Sequence, residues 1–401
     1  MQLARSQVPN AVPRGSLGAR LSDLDTLRSR LDALRPMLRI AVIYGGNKDE
    51  PGAVINQTYN TRSWKSYQSV AQDIAASLKR SGFCHVVLLP DDLRLAERLR
   101  QEGVHLAWLN TGGVQGMDPM AHAPALLELC GIPYVGHDPL AISTLDNKHA
   151  FKRDLTCLGL PTAPYMTWHM ARGPFRPKVN SRFIRAFKDH WGPYIVKPVS
   201  GRASLHVHVV ENEADLPDAV ADVFAATHNH VLIEAYLPGH EYCVAVAGPI
   251  TVKNGDLMRR VEPFVFAPIE RLLRPAERIF TSMDVDPITS ERLRALDLKS
   301  DLAIVSQLNE LGRQVYLDFN LESLIRLDLR QDAMGHLCIL EANPKPDLKA
   351  PGNGTTSLIA AGLANFGMSY DDLILSLLAD RIDLLFAQRR HAIGHLVELV
   401  E

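Results

Sequence analysis

Leu38-Arg-Ile-Ala-Val-Ile-Tyr44, followed at once by Gly45-Gly46, is the stretch on which the reading of the fold turns. An apolar run broken by one arginine reads as a buried strand, and a glycine pair directly behind it supplies a turn at its carboxyl end. That is how a parallel α/β sheet begins. The rhythm continues with a helical period over 66–81, His85-Val-Val-Leu-Leu89 as a second strand, a helix over 93–102 and Leu106-Ala-Trp-Leu109 as a third strand. It delivers Asn110-Thr-Gly-Gly113 to the carboxyl end of a strand, where open α/β sheets take their ligands. Residues 38–143 are therefore read as a doubly wound unit with a parallel sheet.

Upstream, residues 1–16 are rich in Pro, Gly and Arg and read as a flexible lead. Leu17, Leu21, Leu24, Leu27, Leu31 and Leu34 then recur at helical spacing, so 1–37 is expected to be a lead plus an amphipathic helix packed on its own body or on a second copy. Downstream, Pro161, Pro164, Pro174 and Pro177 punctuate a connection to Pro193-Tyr-Ile-Val-Lys-Pro198. There a strand carrying Lys197, a polar loop over 200–204 and the alternating Leu205-His-Val-His-Val-Val210 suggest a phosphate-covering flap, within a lid spanning 144–235. The segment 231–246 reads as two strands joined by a Pro238-Gly239 turn. The remainder, 236–401, holds strands over 325–329 and 337–341 and a helix over 370–378, and is read as the large catalytic part.

The chain has 401 residues, 46% hydrophobic and 22% charged, which is enough for a real core. Its 43 Lys and Arg against 45 Asp and Glu leave no positive excess to draw nucleic acid or an anionic membrane. No apolar run reaches spanning length and no secretory leader is read, so a cytoplasmic protein is expected. Cys84, Cys130, Cys157, Cys243 and Cys338 form no close pair, which argues against disulfides and zinc, and each is read as a small buried apolar residue. His206 and His208 alternate on a strand but lack zinc-ligand spacing. Neither a Gly-x-x-x-x-Gly-Lys-Ser/Thr loop nor a Gly-x-Ser-x-Gly elbow is present.

Chemistry concentrates in Arg326-Leu-Asp328 and Leu340-Glu-Ala-Asn343. Alternation puts Arg326 and Asp328 on one face of a strand and Glu341 and Asn343 on one face of another. If those strands are neighbours, Asp328, Glu341 and Asn343 offer hard oxygens suited to Mg²⁺, with Arg326 beside them to stabilise charge on a transferring phosphoryl group. Lys148, Lys152 and Lys197 are candidates to neutralise nucleotide phosphates.

With these residues in place, the chain over 39–378 resembles an ATP-grasp ligase of the D-alanine–D-alanine ligase-like group. The order Gly45-Gly46, Leu126-Leu-Glu-Leu-Cys-Gly-Ile-Pro-Tyr134, Lys148 and Lys152, Ile195-Val-Lys-Pro198, Glu234, Arg326-Leu-Asp328 and Glu341-Ala-Asn343 is that group's order. The resemblance implies α/β and α+β lobes with ATP between them. It places Lys148 and Lys197 on the phosphates, Glu234, Tyr236 and Leu237 around the adenine, Glu241 at the ribose and Leu340 as a wall. Asp328, Glu341 and Asn343 would hold two Mg²⁺, and Arg326 would face an acyl phosphate. Gly201 and Ser204 are the expected phosphate contacts of the flap, with Arg202 as a planar fork. A homodimer is also implied.

Departures accompany the resemblance. Asn110 and Met117 stand where the peptidoglycan enzymes have His and Glu, and their early acid, which grips a substrate ammonium, has no clear equivalent, so either Glu50 replaces it or the donor carries no such ammonium. Pro344-Lys-Pro-Asp-Leu-Lys349 and the loop through Ser357 differ from the segment associated with the second D-alanine, and Arg271, Arg274 or Arg278 stands in for a mobile-loop lysine. Asn110, Asp118, Asp347 and Ser357 are the candidate substrate contacts. The expectation is an ATP-dependent carboxylate–amine ligase acting on small amino-acid-like substrates, in specialised metabolism. D-alanine–D-alanine ligation is the alternative, and a nucleotide-binding regulatory module without turnover is a second.

Overall fold

The computed structural model describes residues 23–58, 64–201, 204–275, 277–279, 290–352 and 356–401. The expected lead, Leu17, Leu21, Arg202 and Gly354 lie outside these residues.

The run 38–44 forms β1 (Arg39–Tyr44), the second strand of a parallel sheet with β2 (His85–Pro90), β3 (Leu106–Asn110) and β4 (Tyr134–Val135), in the order β2-β1-β3-β4. Ile40 and Val42 point to one hydrophobic cluster with Ile74 and Leu78, while Ala41 and Ile43 point to another with Leu95, Leu99 and Leu127. Both faces are covered, by α2 (Gln68–Arg80) on one side and α3 (Leu95–Gln101) and α4 (His122–Leu129) on the other, which explains an uninterrupted apolar strand.

The leucine stripe is α1 (Leu24–Leu34), capped by Asp23, whose carboxylate accepts from Thr26 N at 2.7 Å. Leu27, Leu31 and Leu34 are buried in the cluster that holds Ile374, Leu378 and Ile382 of α10 (Tyr370–Gln388), so the helix packs on its own chain. Each burial is worth roughly 2 kcal/mol. Helix α10 runs beyond the expected end at 378 because its apolar period continues through Ile382, Leu385 and Phe386.

An antiparallel sheet in the order β5-β8-β6-β7 is built from β5 (Tyr165–Trp168), β6 (Tyr194–Pro198), β7 (His208–Val210) and β8 (Val231–Ala235). Helices α7 (Ser181–Ala186) and α8 (Leu216–Thr227) cover it through Phe183, Leu216, Val220 and Val223. Strand β7 is shorter than the alternation from 205 suggests. Ser204 and His206 take left-handed backbone, φ 51 and 57, and form a turn instead.

The largest sheet has the order β14-β13-β9-β15-β16, with β9 (Glu241–Ala247), β13 (Ile269–Arg271), β14 (Leu293–Ala295), β15 (Ile325–Gln331) and β16 (Leu337–Asn343). The short β12 (Phe264–Val265) also pairs with β9, and β10 (Ile250–Lys253) and β11 (Asp256–Arg259) form a separate hairpin. Helices α5 (Pro139–Asp146), α6 (Lys148–Leu158) and α9 (Leu302–Asp318) bring Leu145, Phe151, Leu155, Leu308 and Val315 onto Val244, Val246, Ile325 and Leu327.

Two expectations are corrected. Strands β8 and β9 do not form a hairpin across Pro238-Gly239, because they belong to different sheets. The turn is pinned instead to the end of β15, where Gly239 N donates to Gln331 O at 3.0 Å and Gln331 N to His240 O at 2.9 Å. A Cβ at Gly239 would lie 2.6 Å from Gln331 Cβ, so only glycine allows that approach. The cysteines are all free, but Cys84, Cys130 and Cys157 are exposed and Cys338 is half-buried, leaving only Cys243 buried. The three exposed ones sit just before β2, at the C-cap of α4 and in the last turn of α6, at the edges of elements where side chains reach water. Among the described residues no helix is long and apolar enough to cross a membrane.

Candidate active site

The antiparallel pairing of β15 with β16 sets Arg326 opposite Asn343 and Asp328 opposite Glu341. The groups converge. Arg326 forks onto Asp328, Nε to Oδ1 at 2.7 Å and Nη2 to Oδ2 at 3.0 Å, while Arg271 Nη2 reaches Oδ2 at 2.9 Å and the Cys243 thiol donates to Oδ1 at 3.3 Å. Burial alone would raise the Asp328 carboxyl, but Arg271 and Arg326 hold it well below the usual carboxylate range. Glu341 is likewise held below its ordinary value, burial being outweighed by Lys148, 3.2 Å away, and Lys197.

Lys148 owes its place to the start of α6. Asn147 caps the helix by accepting from His149 N and Ala150 N, each at 3.1 Å, and Lys148 N donates to Val199 O at 2.8 Å just past β6. The helix start is thereby fastened to the strand that carries Lys197.

Glu234, on β8, is 2% exposed and lies between two ammonium groups. Lys152 Nζ is 2.5 Å from Oε1, and Lys197 pairs with Oε2. Burial pushes the Glu234 carboxyl up, yet Lys152 and Lys197 bring it down to about 2. Lys152 Nζ also donates to Thr162 Oγ1 at 2.7 Å, and that hydroxyl donates to Ile339 O at 2.8 Å on β16. The expectation for Lys152 is therefore corrected: it is fully buried, one helical turn deeper than Lys148, and neutralises Glu234 in place of a phosphate. Lys197 is also not a solvated flap residue. It is 7% exposed and paired inside the sheet, although its side chain lines the cleft.

That cleft, about 850 Å³ of open space, lies between the β5–β8 sheet and the β9–β16 sheet. Lys148, Lys197, Gly201, Ser204, Glu234, Tyr236, Leu237, Glu241, Asp328, Leu340 and Glu341 line it, so most of the residues singled out from sequence share one wall system. At one end Glu241 pairs with Arg271 Nη1 at 2.7 Å and with Arg330 at 3.6 Å. Arg330 donates to Tyr236 OH at 3.2 Å, Gly239 O at 3.2 Å and Arg278 O at 2.9 Å, while the Arg278 guanidinium stacks 4.6 Å above the Tyr236 ring. Arg330 escaped the sequence reading. Its signal was the same alternation that singled out Arg326 and Asp328, carried one step further. Ile195 and Ile279, also lining, carried no signal beyond being apolar.

The candidate substrate residues do not join this cleft. Asn110 is buried and donates to Tyr67 O at 3.1 Å, and Ser357 is fully buried with its hydroxyl accepting from Ala360 N at 3.1 Å. Asp347 accepts from Lys349 N at 3.3 Å, and Asp118 and Glu50 are exposed. Asn343 Oδ1 accepts from Lys345 N at 3.0 Å, which fixes the first turn of the altered loop.

For a divalent cation, Asp328 and Glu341 are a matched pair of ionised hard-oxygen donors on facing positions that line the cleft, whereas the Asn343 amide oxygen is taken up by Lys345 N and Asn343 does not line it. Among the described residues no group of three or more His, Cys, Asp or Glu side chains is placed to hold a metal ion by itself. Two carboxylates are a donor set that fits Mg²⁺, which takes few protein carboxylates and completes its octahedron from phosphate and water oxygens. It does not fit zinc.

A family model described as D-ala D-ala ligase C-terminus matches residues 155–379, more than half of the chain. A D-alanine–D-alanine ligase of Pseudomonas entomophila is 28% identical over 361 residues, covering 90% of this chain and 98% of the relative. One of Anaeromyxobacter sp. is 28% identical over 337 residues, covering 84% and 94%. Among solved structures, a D-alanine–D-alanine ligase of Bacillus anthracis complexed with ATP aligns with a TM-score of 0.60 at 18% identity, covering 88% of this chain and 99% of that one. D-alanyl-alanine synthetase A of Vibrio cholerae aligns with a TM-score of 0.61 at 18% identity, covering 86% and 98%. With the two sheets closing on a cleft and the family match running through its walls, the chain belongs to the D-alanine–D-alanine ligase family, ATP-grasp ligases that join carbon to nitrogen with ADP as product.

Proposed function

We propose that the protein binds ATP in the cleft between the two antiparallel sheets and uses it to join the carboxylate of one small amino acid to the amine of another. D-alanine with D-alanine is the pairing that the family match and the relatives favour. The supporting observation is that Lys148 at the start of α6 and Lys197 on β6 line one cleft with Asp328 and Glu341, with Arg326 forked onto Asp328 behind them.

In this reading the adenine lies between Leu237 and Leu340 near Tyr236, the sugar faces Glu241, and Lys148 and Lys197 neutralise phosphate charge. Asp328 and Glu341 would hold Mg²⁺, which when bound shields the phosphates and favours transfer of the terminal phosphoryl group. The first substrate's carboxylate takes that group and ADP departs. The amine then attacks the acyl carbon, phosphate leaves and the amine proton is lost to solvent. No side chain needs to act as nucleophile, and Arg326 contributes fixed positive charge beside the reacting groups.

A second reading, other small amino-acid-like substrates in specialised metabolism, is supported by the use of Asn110 and Ser357 as internal hydrogen-bond partners and by the altered loop after Asn343. Measuring ADP release from ATP and Mg²⁺ with D-alanine and an amino-acid panel, with mass detection of products, tests both. D-alanyl-D-alanine supports the first reading and a different condensed mass the second. No ADP with any pair, from folded protein, rejects both.

A further inference from the structure

We infer that Arg271 is a positioning residue that couples recognition of the nucleotide sugar to the seating of the metal; this rests on the nucleotide reading of the cleft given above. One guanidinium holds two carboxylates at once, Nη1 to Glu241 Oε1 at 2.7 Å and Nη2 to Asp328 Oδ2 at 2.9 Å. The strands make this reach possible. Arg271 is opposite Glu241 across the β13–β9 ladder, and Asp328 lies on β15 at the far side of β9, so the side chain crosses the middle strand. A planar fork with separated donors can span two carboxylates, whereas a lysine ammonium is a point charge that satisfies one.

The link is more than a fastening for β13. Glu270, the preceding residue, is also buried and pairs with His240 at 2.6 Å and with Arg294 at 2.7 Å, while Ile269 packs with Cys243 and Leu358, so the strand is anchored without Arg271. Neither carboxylate depends on Arg271 for its only countercharge. Asp328 keeps the Arg326 fork and Glu241 keeps Arg330. Among the described residues it is Arg271 that connects them directly, and its side chain forms part of the cleft wall. A shift of Glu241 toward a sugar hydroxyl therefore moves the guanidinium on Asp328, and a cation drawing on Asp328 moves Glu241. Such a linkage is reciprocal.

A double-mutant cycle tests this. Binding of ATP to the full chain, without amino acids, is followed by calorimetry across a Mg²⁺ titration for the wild type, Glu241→Gln, Arg271→Met and the double variant. Glu241→Gln is expected to raise the half-saturating Mg²⁺ by about tenfold when Arg271 is present and by less than about twofold in the Arg271→Met background, as for groups sharing one charged network. Arg271→Lys, which keeps the charge and loses the fork, should behave like Arg271→Met, and it carries the cycle if the methionine variant does not fold. An equal Mg²⁺ shift in both backgrounds, or none in either, overturns the coupling while leaving the nucleotide reading intact. A wild-type chain that binds no ATP at any Mg²⁺ concentration overturns both.

Discussion

Replacing Lys152 by methionine, similar in length and uncharged, removes one of two ammonium groups from a carboxylate that is 2% exposed. Its cost follows from the titration of Glu234. Burial drives that carboxyl upward, and Lys152 followed by Lys197 reverses the effect, holding it at about 2 against an ordinary 4.5. At ~1.4 kcal/mol per pH unit the gap corresponds to roughly 3–4 kcal/mol on the Glu234 side, offset in part on the Lys152 side, where burial pushes the ammonium below its ordinary value. Because the folded value is depressed, that contribution is fully present above pH 4.5 and is lost as the pH falls through about 2. Breaking a buried pair outright costs about 3–5 kcal/mol, and Lys197 remains to share the charge, so a loss of roughly 2–3 kcal/mol at neutral pH is expected. Urea unfolding at pH 7 should show a lower midpoint with an unchanged slope, and acid unfolding followed by circular dichroism should begin at higher pH than in the wild type. A loss below about 0.5 kcal/mol, the size of an ordinary surface substitution, together with an unmoved acid limb, would refute the assignment of Lys152 as the structural partner of Glu234.

Three further outcomes follow from the same geometry. Glu341→Gln should leave the fold intact, raise the Mg²⁺ needed for ATP binding and lower turnover by roughly tenfold or more; unchanged Mg²⁺ dependence would remove Glu341 from the metal site. Lys197→Ala should weaken ATP binding and also lower stability by roughly 2–3 kcal/mol, since Glu234 loses a partner; lost binding in a variant of full stability would return Lys197 to a solvated flap. Asp380, whose Oδ1 accepts from Ile250 N at 3.0 Å, is pushed by burial from 3.8 up to about 7. The unfolded carboxyl ionises first, so stability should fall as the pH rises across that window. Asp380→Asn keeps the acceptor and should flatten the dependence of melting temperature on pH; parallel curves for the two proteins would reject this.

Much of the architecture was legible before any coordinates. The run 38–44 and its glycine pair announce a parallel sheet because a strand covered on both faces has no polar side to show, and the leucines of α1 declare a helix by their period. The gathering of Arg326, Asp328, Glu341 and Asn343 was also accessible, since period-two alternation restricts which residues can share a face. Lys152 and Lys197 show where such reading stops. Both lysines look like phosphate ligands in sequence, and whether a lysine meets solvent or Glu234 depends on a strand more than thirty residues away. The same holds for the Pro238-Gly239 turn, whose local chemistry describes a hairpin equally well; Gln331, far along the chain, takes its backbone hydrogen bonds and sends β9 into another sheet.

The sequence by itself determined the class of fold, the family to which the chain belongs and a short list of candidate groups for phosphate and Mg²⁺, because these rest on local periodicity and on residue types in order. Only the tertiary structure decided which of those groups face the cleft, which are used up in neutralising one another, and that Arg271 spans Glu241 and Asp328. Burial and ion pairing are set by long-range packing. They determine whether a charged side chain keeps water, a ligand or another side chain as its partner, and no local pattern encodes that choice.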